Sequence, residues 1–236
     1  MSRLDHFPIT RRWPATRPDI IQLYSMTTPN GVKVSIALEE LGLPYEPHAI
    51  DIMAKESWTP DFLSLNPNGK IPAIIDPDGP DGQPIGLFES NAILLYLAEK
   101  TGKLLPADRA GQLEARTWLF LQAGHIGPTF GQVGFFHKFA GRDFPDKRPR
   151  DHFVAEAKRL LALLEARLAN RDWLMGQDFS IVDCACLGWV RNLIGFYEAG
   201  ELVDYASLKQ VPRWLEAGLA RPAVQRGLNS PARNPA

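Results

Sequence analysis

The chain has 236 residues, of which 45% are hydrophobic and 22% charged, and its formal net charge at pH 7 is −1. This composition is typical of a folded globular protein and excludes an intrinsically disordered chain. No apolar run approaches the roughly 20 residues that a membrane-spanning helix needs, and a net charge near zero gives no general reason to bind nucleic acid. The two cysteines, Cys184 and Cys186, are too few for a disulfide framework. We therefore expect a cytoplasmic protein with neither a membrane nor a nucleic acid as partner.

Residues 19–101 predict a small mixed sheet covered by helices. Short segments alternate between strand-like and helix-like patterns and are separated by proline and glycine. The predicted strands are 19–24, 45–51, 71–75 and 85–88, and the predicted helices are 31–41, 58–65 and 90–100. The order β-α-β-α-β-β-α is typical of an α/β domain with a four-stranded sheet.

From residue 104 onward the periodicity is helical throughout. The predicted helices are 109–136, interrupted near Gly124 and Pro128, then 151–169 and 180–197. The last of these is apolar almost all round, which indicates a central buried helix, and Ser180 with Asp183 predicts a capping box at its start. We divide the chain into an N-terminal extension (1–18), an α/β domain (19–101), a linker (102–112) and an all-helical domain (113–236).

The Ile71-Pro72 peptide follows a turn and opens a strand, where proline lacks the N–H that a central strand requires. This makes it a candidate cis bond, beside which an extended peptide could pair with the backbone of Ile71. A trans proline on an edge strand is the alternative, and base rates alone favour it.

Two junctions between a strand and a helix carry polar side chains. Ser90 is a natural N-cap whose neighbouring amides can hold a carboxylate, while Glu89 can pair with an ammonium, so the two suit an α-amino acid group. Thr28 and Asn30 lie where a helix N-terminus would stabilise a thiolate. Ordinary helix capping is the alternative interpretation of both junctions.

Four motifs together resemble glutathione transferases: the segments 23–33, 66–74 and 87–98, and the Ser180-x-x-Asp183 helix start. The Thr28-Pro29-Asn30-Gly31 turn and the segment 122–128 are similar to the nu class in particular. This is the bacterial disulfide-bond oxidoreductase branch, which is related to a fungal nitrogen-regulator prion. The resemblance covers residues 19–222 and implies a thioredoxin-like domain followed by an all-α domain, glutathione as cosubstrate, and a homodimer.

The resemblance also implies roles for individual residues. Ile71, before Pro72, would pair with the cysteinyl backbone of glutathione, and Glu89 and Ser90 would hold its γ-glutamyl group. Lys70 would lie near the glycyl carboxylate. Thr28 and Asn30 would contact the sulfur, in the place that a tyrosine, serine or cysteine takes in other classes.

The chain departs from the nu-class pattern at two positions. Ser57 stands where that class often has a glutamine that touches glutathione, and His152 stands where it often has an arginine that reaches the active site. A protonated His152 could replace part of that charge. A surface histidine is the alternative.

Other chemistry-bearing residues predict no separate site. Cys184 and Cys186 are interpreted as core residues, and the histidines lack partners at metal-ligand spacing, so no metal is expected. Phe130, Phe135, Phe136 and Phe139 are interpreted with equal weight as lining an apolar acceptor pocket between the domains or as packing.

The leading hypothesis is a glutathione-dependent disulfide-bond reductase that uses the thiols of bound glutathione. One alternative is a transferase that conjugates glutathione to small electrophiles. The other is a non-catalytic glutathione-binding regulator. All three take glutathione, with a small disulfide or electrophile as second substrate in the first two.

Overall fold

A computed structural model of the chain describes residues 3–232, which fall into two units. The first unit contains the chain up to Thr101 together with the segment from Pro222 onward, and the second contains Gly102–Arg221. The predicted helical domain, 113–236, differs from this division because its C-terminal segment packs with the first unit. The ends of two predicted ranges, residues 1–2 and 233–236, lie outside the described residues.

A four-stranded mixed sheet forms the centre of the first unit. Its strands are β1 (Ile21–Ser25), β2 (Tyr45–Ala49), β3 (Ala73–Asp76) and β4 (Ile85–Phe88). They lie in the order β2-β1-β3-β4, with β1 parallel to β2 and antiparallel to β3, and β3 antiparallel to β4. Tyr24 pairs with Ala73 and Leu23 with Ile74, so successive residues bury their side chains on opposite faces of the sheet. The predicted four-stranded mixed sheet is confirmed.

The helices of the first unit are α1 (Ile9–Arg12), α2 (Gly31–Leu41), α3 (Pro60–Leu63), α4 (Ser90–Thr101) and α10 (Pro222–Gly227). The predicted helix 58–65 is shorter than expected, because a 3₁₀ turn at Glu56–Trp58 precedes it and Thr59 caps its start by accepting from the amide of Phe62. Helices α2 and α10 pack against each other, and α4 contacts α2, β3 and β4. These contacts hold the N-termini of α2 and α4 in the same unit as the sheet.

The N-terminal segment, residues 3–18, belongs to the core of the first unit. Leu4 and Ile9 are fully buried in one hydrophobic cluster with Tyr24 and Phe62, and Ile71 packs against that cluster. Glu46 on β2 fixes the end of the segment by accepting from the backbone amides of Thr16, at 3.0 Å, and Arg17, at 2.8 Å. The segment therefore covers part of one face of the sheet.

The second unit is helical, with strand pairing limited in the described residues to an isolated bridge between Trp173 and Gly176. Its helices are α5 (Arg109–Leu121), α6 (Gly127–His137), α7 (Arg148–Arg167), α8 (Ile181–Arg191) and α9 (Gln210–Leu219). Two π-helical segments, Gln122–Ile126 and Asn192–Phe196, extend α5 and α8. The predicted long helices 109–136 and 180–197 are thus each divided by a change of helix type.

Helix α8 is the buried centre of this unit, as predicted, and contacts α5, α6 and α9. The predicted capping box is present, because Asp183 accepts from the Ser180 amide at 2.9 Å. The same carboxylate accepts from the amide of Leu174 and the indole N–H of Trp214. Cys184 and Cys186 are fully buried, which confirms their interpretation as core residues.

Candidate active site

A cleft of about 270 Å³ opens in the first unit, where the turn before α2, the approach to β3 and the start of α4 come together. Its volume is near the lower end of the range for small-molecule sites, roughly 300–1,000 Å³. The residues that line it are Asn30, Asn66, Asn68, Lys70, Ile71, Pro72, Glu89 and Ser90. Most of the side chains predicted to bind glutathione are therefore brought together.

The turn before α2 presents Asn30 to the cleft but turns the oxygen of Thr28 toward the backbone. The hydroxyl oxygen of Thr28 accepts from the amide of Gly31 at 3.3 Å, and Thr28 is not among the lining residues. A Cβ on Gly31 would lie 1.9 Å from the carbonyl oxygen of Met26, so only glycine fits this tight turn. The close turn sets Asn30 directly at the N-terminus of α2, where the helix dipole favours negative charge.

A rigid turn positions Lys70 and Ile71. Asn66 is buried, its amide donates to the carbonyl of Lys70 at 2.5 Å, and its side-chain oxygen accepts from the amide of Asn68 at 3.0 Å. The Ile71-Pro72 peptide is cis, as the sequence suggested. Ile71 lies just outside β3, whose pairing begins at Ala73, so its backbone is at the edge of the cleft.

The start of α4 supplies the third wall of the cleft. Glu89 has φ 68°, in the left-handed region, and its carbonyl accepts from the amide of Ile93 at 3.0 Å. Helix α4 begins at Ser90, so the expectation that Ser90 is the N-cap is wrong: the backbone of Glu89 takes that position. The first amides of α4 have no carbonyl to pair with inside the helix, and they provide donors beside Ser90.

Sequence reasoning missed three residues of this site. Asn66 and Asn68 lie in the motif 66–74 and Lys33 on α2 lies in the motif 23–33, but neither motif predicts a role for them. The side chain of Lys33 is only 2% exposed, and its ammonium donates to the Ser90 hydroxyl oxygen at 3.2 Å and to Oδ1 of Asn91 at 3.1 Å. Nothing in the local pattern of α2 indicates a buried lysine.

Two predicted site residues lie elsewhere among the described residues. Ser57 is buried within the 3₁₀ turn Glu56–Trp58 and does not line the cleft. His152 lies on α7 in the second unit, where its exposed ring meets that of Phe153 at a centroid distance of 5.3 Å. Contributions of these two residues to ligand binding stay predictions.

The phenylalanines of the second unit divide into two groups. Phe130 is fully buried and packs in the core, whereas Phe135 and Phe139 are 37% and 46% exposed. Phe135 and Phe136 pack edge to face with their ring centroids 5.0 Å apart. Packing therefore accounts for Phe130, and the acceptor role of the other rings stays a prediction.

Tyr24 is excluded as a thiolate-stabilising group. Its ring lies in the core cluster, with ring centroids 6.4 Å from Trp13 and 4.6 Å from the stacked ring of His48. Burial raises the pKa of its phenol far above the ordinary value, with a smaller contribution from Glu46. A phenol that deep cannot reach a ligand in the cleft.

The chemistry of the cleft suits an amino acid group joined to a short peptide. Glu89 offers a carboxylate for an ammonium, Ser90 and the α4 amides offer donors for a carboxylate, and Lys70 adds a positive charge. Within residues 3–232, no group of three or more histidine, cysteine or acidic side chains is arranged as a metal site requires. None of the helices in that range has the length and apolarity to cross a membrane.

Both halves of the chain match family models. The model described as "Glutathione S-transferase, N-terminal domain" matches residues 27–100, and the one described as "Glutathione S-transferase, C-terminal domain" matches residues 129–221. A curated relative, disulfide-bond oxidoreductase YfcG of Escherichia coli (strain K12), is 40% identical over 210 residues, covering 89% of this chain and 94% of its own.

Two solved structures are similar over nearly the full length. A glutathione transferase from Burkholderia graminis, with two glutathione molecules bound per subunit, is 62% identical with a TM-score of 0.97, covering 99% of this chain and 98% of its own. One from Pseudomonas putida, with one glutathione disulfide bound per subunit, is 55% identical with a TM-score of 0.95, covering 97% of this chain and 99% of its own. These likenesses confirm the predicted fold class.

Proposed function

This chain belongs to the glutathione transferase family, and from that premise we propose that it is a glutathione-dependent disulfide-bond reductase. The thiols that react belong to bound glutathione and not to the protein. The observation that carries this proposal is the position of the two cysteines: Cys184 and Cys186, the only ones in the sequence, are fully buried in α8. A disulfide substrate has no access to them, so the electrons must come from a bound thiol.

Glutathione occupies the cleft of the first unit in this proposal. Glu89 pairs with the γ-glutamyl ammonium, and Ser90 with the first amides of α4 binds the neighbouring carboxylate. The backbone of Ile71 pairs with that of the cysteinyl residue beside Pro72, and Lys70 lies near the glycyl carboxylate. The five residues named here line one cleft, so a single extended tripeptide can contact them together.

The reactive form of glutathione is its thiolate. Asn30, at the N-terminus of α2, donates an amide N–H to the sulfur, and the helix dipole adds a favourable field. Thr28 supports this arrangement from within the turn, where its oxygen accepts from the amide of Gly31. Direct contact of the Thr28 hydroxyl with the sulfur stays a prediction. The Asn30 donor and the helix dipole lower the thiol pKa of the ligand, so that more thiolate is present at neutral pH.

The reaction consists of two exchanges. The glutathione thiolate attacks one sulfur of the substrate disulfide, forming a mixed disulfide and releasing the first substrate thiolate, which takes a proton from solvent. A second glutathione thiolate attacks the glutathione sulfur of the mixed disulfide and releases the second substrate thiolate, which is also protonated by solvent. The products are glutathione disulfide and two substrate thiols. The relatives with two glutathione molecules or one glutathione disulfide per subunit support this stoichiometry.

The test is glutathione-dependent reduction of a small symmetrical disulfide, coupled to NADPH oxidation through glutathione reductase, with native protein and Asn30→Ala. We expect Asn30→Ala to lose at least about tenfold in rate, or about 1.4 kcal/mol of transition-state stabilisation. Asn170→Ala, which changes an exposed turn of the second unit, is the matched control and should keep the native rate.

A native rate no higher than the uncatalysed background would reject the reductase. Conjugation of a chlorinated aromatic acceptor would then favour the transferase, and binding without turnover the regulator.

We further propose that the chain is a nu-class protein, on the strength of the Thr28-Pro29-Asn30-Gly31 turn, and that it works in the cytoplasm, where reduced glutathione is abundant.

We also propose that the protein forms a homodimer. Met53 and Trp58 in the first unit and Phe120 in the second are 83%, 56% and 74% exposed, and burying them in an interface would remove apolar surface from water. Sedimentation should give twice the 26.3 kDa mass of one chain, and a single-chain mass would reject the dimer.

A further inference from the structure

Lys33 is a buried lysine that is hydrogen-bonded to a residue lining the cleft. Lysine is almost never fully buried unless it is paired, because removing an ammonium from water is costly. Here the side chain extends from α2 to the first turn of α4 and donates to the oxygen of Ser90 at 3.2 Å and to Oδ1 of Asn91 at 3.1 Å. Ser90 lines the cleft, whereas Lys33 does not, so Lys33 can act on a ligand only through Ser90 and through its charge.

The hydrogen bond from Lys33 determines what Ser90 can offer. A serine hydroxyl has one proton to donate and two lone pairs that accept, and an ammonium can only donate. Since the ammonium donates to the Ser90 oxygen, the hydroxyl proton points away from Lys33 and is available to a ligand in the cleft that Ser90 lines. Ser90 is thereby turned into a donor toward the cleft, beside the donor amides of α4. This part of the wall presents donors and accepts an anion.

We propose that Lys33 is a positioning residue that makes this wall selective for the α-carboxylate of the γ-glutamyl group. The proposal rests on the proposed function, because it assumes that glutathione occupies the cleft. Lys33 orients the Ser90 hydroxyl, and its charge attracts the carboxylate through the low-dielectric space around Ser90. Asn91 holds the ammonium in line by accepting its second hydrogen bond. A ligand that lacks the α-carboxylate gains nothing from this arrangement.

The experiment compares two ligands on the full-length protein. One is glutathione, and the other is its analogue in which 4-aminobutanoate replaces the γ-glutamyl group, so that only the α-carboxylate is missing. Dissociation constants are measured calorimetrically, and KM and kcat by the coupled disulfide assay. We expect Lys33→Met to weaken glutathione at least about tenfold in Kd and KM, with kcat changed by less than about twofold. The affinity of the analogue should stay the same in Lys33→Met as in the native protein.

Variants separate this role from a structural one. Lys33→Arg, which keeps donors and charge, should recover most of the selectivity between the two ligands. Lys33→Met combined with Ser90→Ala should be little weaker than either change alone, because both remove the same interaction. Lys100→Met, which removes a lysine that is paired with Asp76 in the same unit, is the control and should leave the ratio of the two affinities unchanged.

Equal losses for glutathione and the analogue, or a fall in kcat alone, would identify Lys33 as merely structural and overturn the proposal. If Lys33→Met does not fold, Lys33→Gln decides: it keeps N–H donors without charge, and an affinity ratio equal to that of the native protein would overturn the proposal as well. Native protein that binds no glutathione would instead reject the proposed function. If the native protein reduces the disulfide and Lys33→Met has the same Kd and KM for glutathione, only the inference about Lys33 is rejected.

Discussion

Glu89 combines a proposed binding role with a costly backbone conformation. A residue with a Cβ in the left-handed region costs roughly 1–2 kcal/mol relative to glycine, and Glu89 has φ 68°. The conformation lets its carbonyl accept the first amide bond of α4 while the residue itself lines the cleft. Strain of this kind is concentrated at functional sites.

We therefore expect Glu89→Gly to be more stable than Glu89→Ala by about 1 kcal/mol, since glycine removes the steric cost but loses more entropy on folding. Both variants should bind glutathione more weakly, because both lack the carboxylate for the ammonium. Urea unfolding and calorimetric titration measure the two effects. Equal stabilities would show that the conformation costs nothing, and native affinity in either variant would remove Glu89 from the site.

Local motifs predicted the part of the site that local structure builds. Asn30, Ile71, Glu89 and Ser90 follow turn or helix-start signals, and the structure brings all of them to one cleft. Lys33 could not be predicted, because its role depends on the packing of α2 beside α4, two elements far apart in sequence. Residue type alone made a solvent-exposed lysine the expected outcome.

At the scale of elements, the N-terminal segment was the least predictable part of the first unit. Its helix α1 has only four residues, and its apolar side chains follow neither the helix nor the strand period. Leu4 and Ile9 nevertheless fill the cluster that Ile71 packs against. The extension is a component of the fold, and through this cluster it supports the backbone at the edge of the cleft.

Ile9→Ala should accordingly lower the free energy of unfolding by about 2–5 kcal/mol, the usual cost of truncating a fully buried isoleucine. Ile9 has no exposed surface, whereas Arg11, two residues along the same helix, is exposed. Arg11→Ala is therefore the matched control and should change stability by less than about 0.5 kcal/mol. Similar small effects of the two changes would mean that the segment is only loosely attached.

In the second unit, the structure confirms the positions of the three predicted helices, 109–136, 151–169 and 180–197, but not their helix type, and α9 has no predicted counterpart. Glycine and proline signals marked an interruption near Gly124, and the structure has a π-helical segment at Gln122–Ile126 before α6 begins. A π turn inserts one extra residue without ending the helix, and no residue type is specific for it. The second π segment, Asn192–Phe196, lies inside a predicted continuous helix and carried no signal at all.

At the scale of the whole molecule, helix α10 is the feature that departs most from the predicted domains. Gly227 on α10 packs so closely on α2 that a Cβ would lie 2.6 Å from the backbone N and Cα of Ile36. The carbonyl of Gly227 also accepts from the hydroxyl of Ser35 at 2.6 Å. The sequence predicts an all-helical domain over 113–236 without a separate helix at 222–227, and only the tertiary contacts of α10 assign it to the first unit.

Gly227→Ala should destabilise the protein by about 1–3 kcal/mol, because the added methyl group meets backbone that cannot rotate away. Gly124→Ala is the control, since a Cβ there has no atom within 4 Å, and it should be neutral or slightly stabilising. Urea unfolding of both variants gives the comparison. A neutral Gly227→Ala would mean that α10 and α2 separate easily.

The return of the chain to the first unit has a consequence for biosynthesis. The ribosome makes the sheet, α2 and α4 first, then the whole second unit, and only afterwards α10. Domains ordinarily fold as units in the order of their synthesis, but here the unit that carries the cleft is completed last, although its strands emerge first. A nascent chain that stops at Arg221 has every residue of the cleft and lacks the helix that packs on α2.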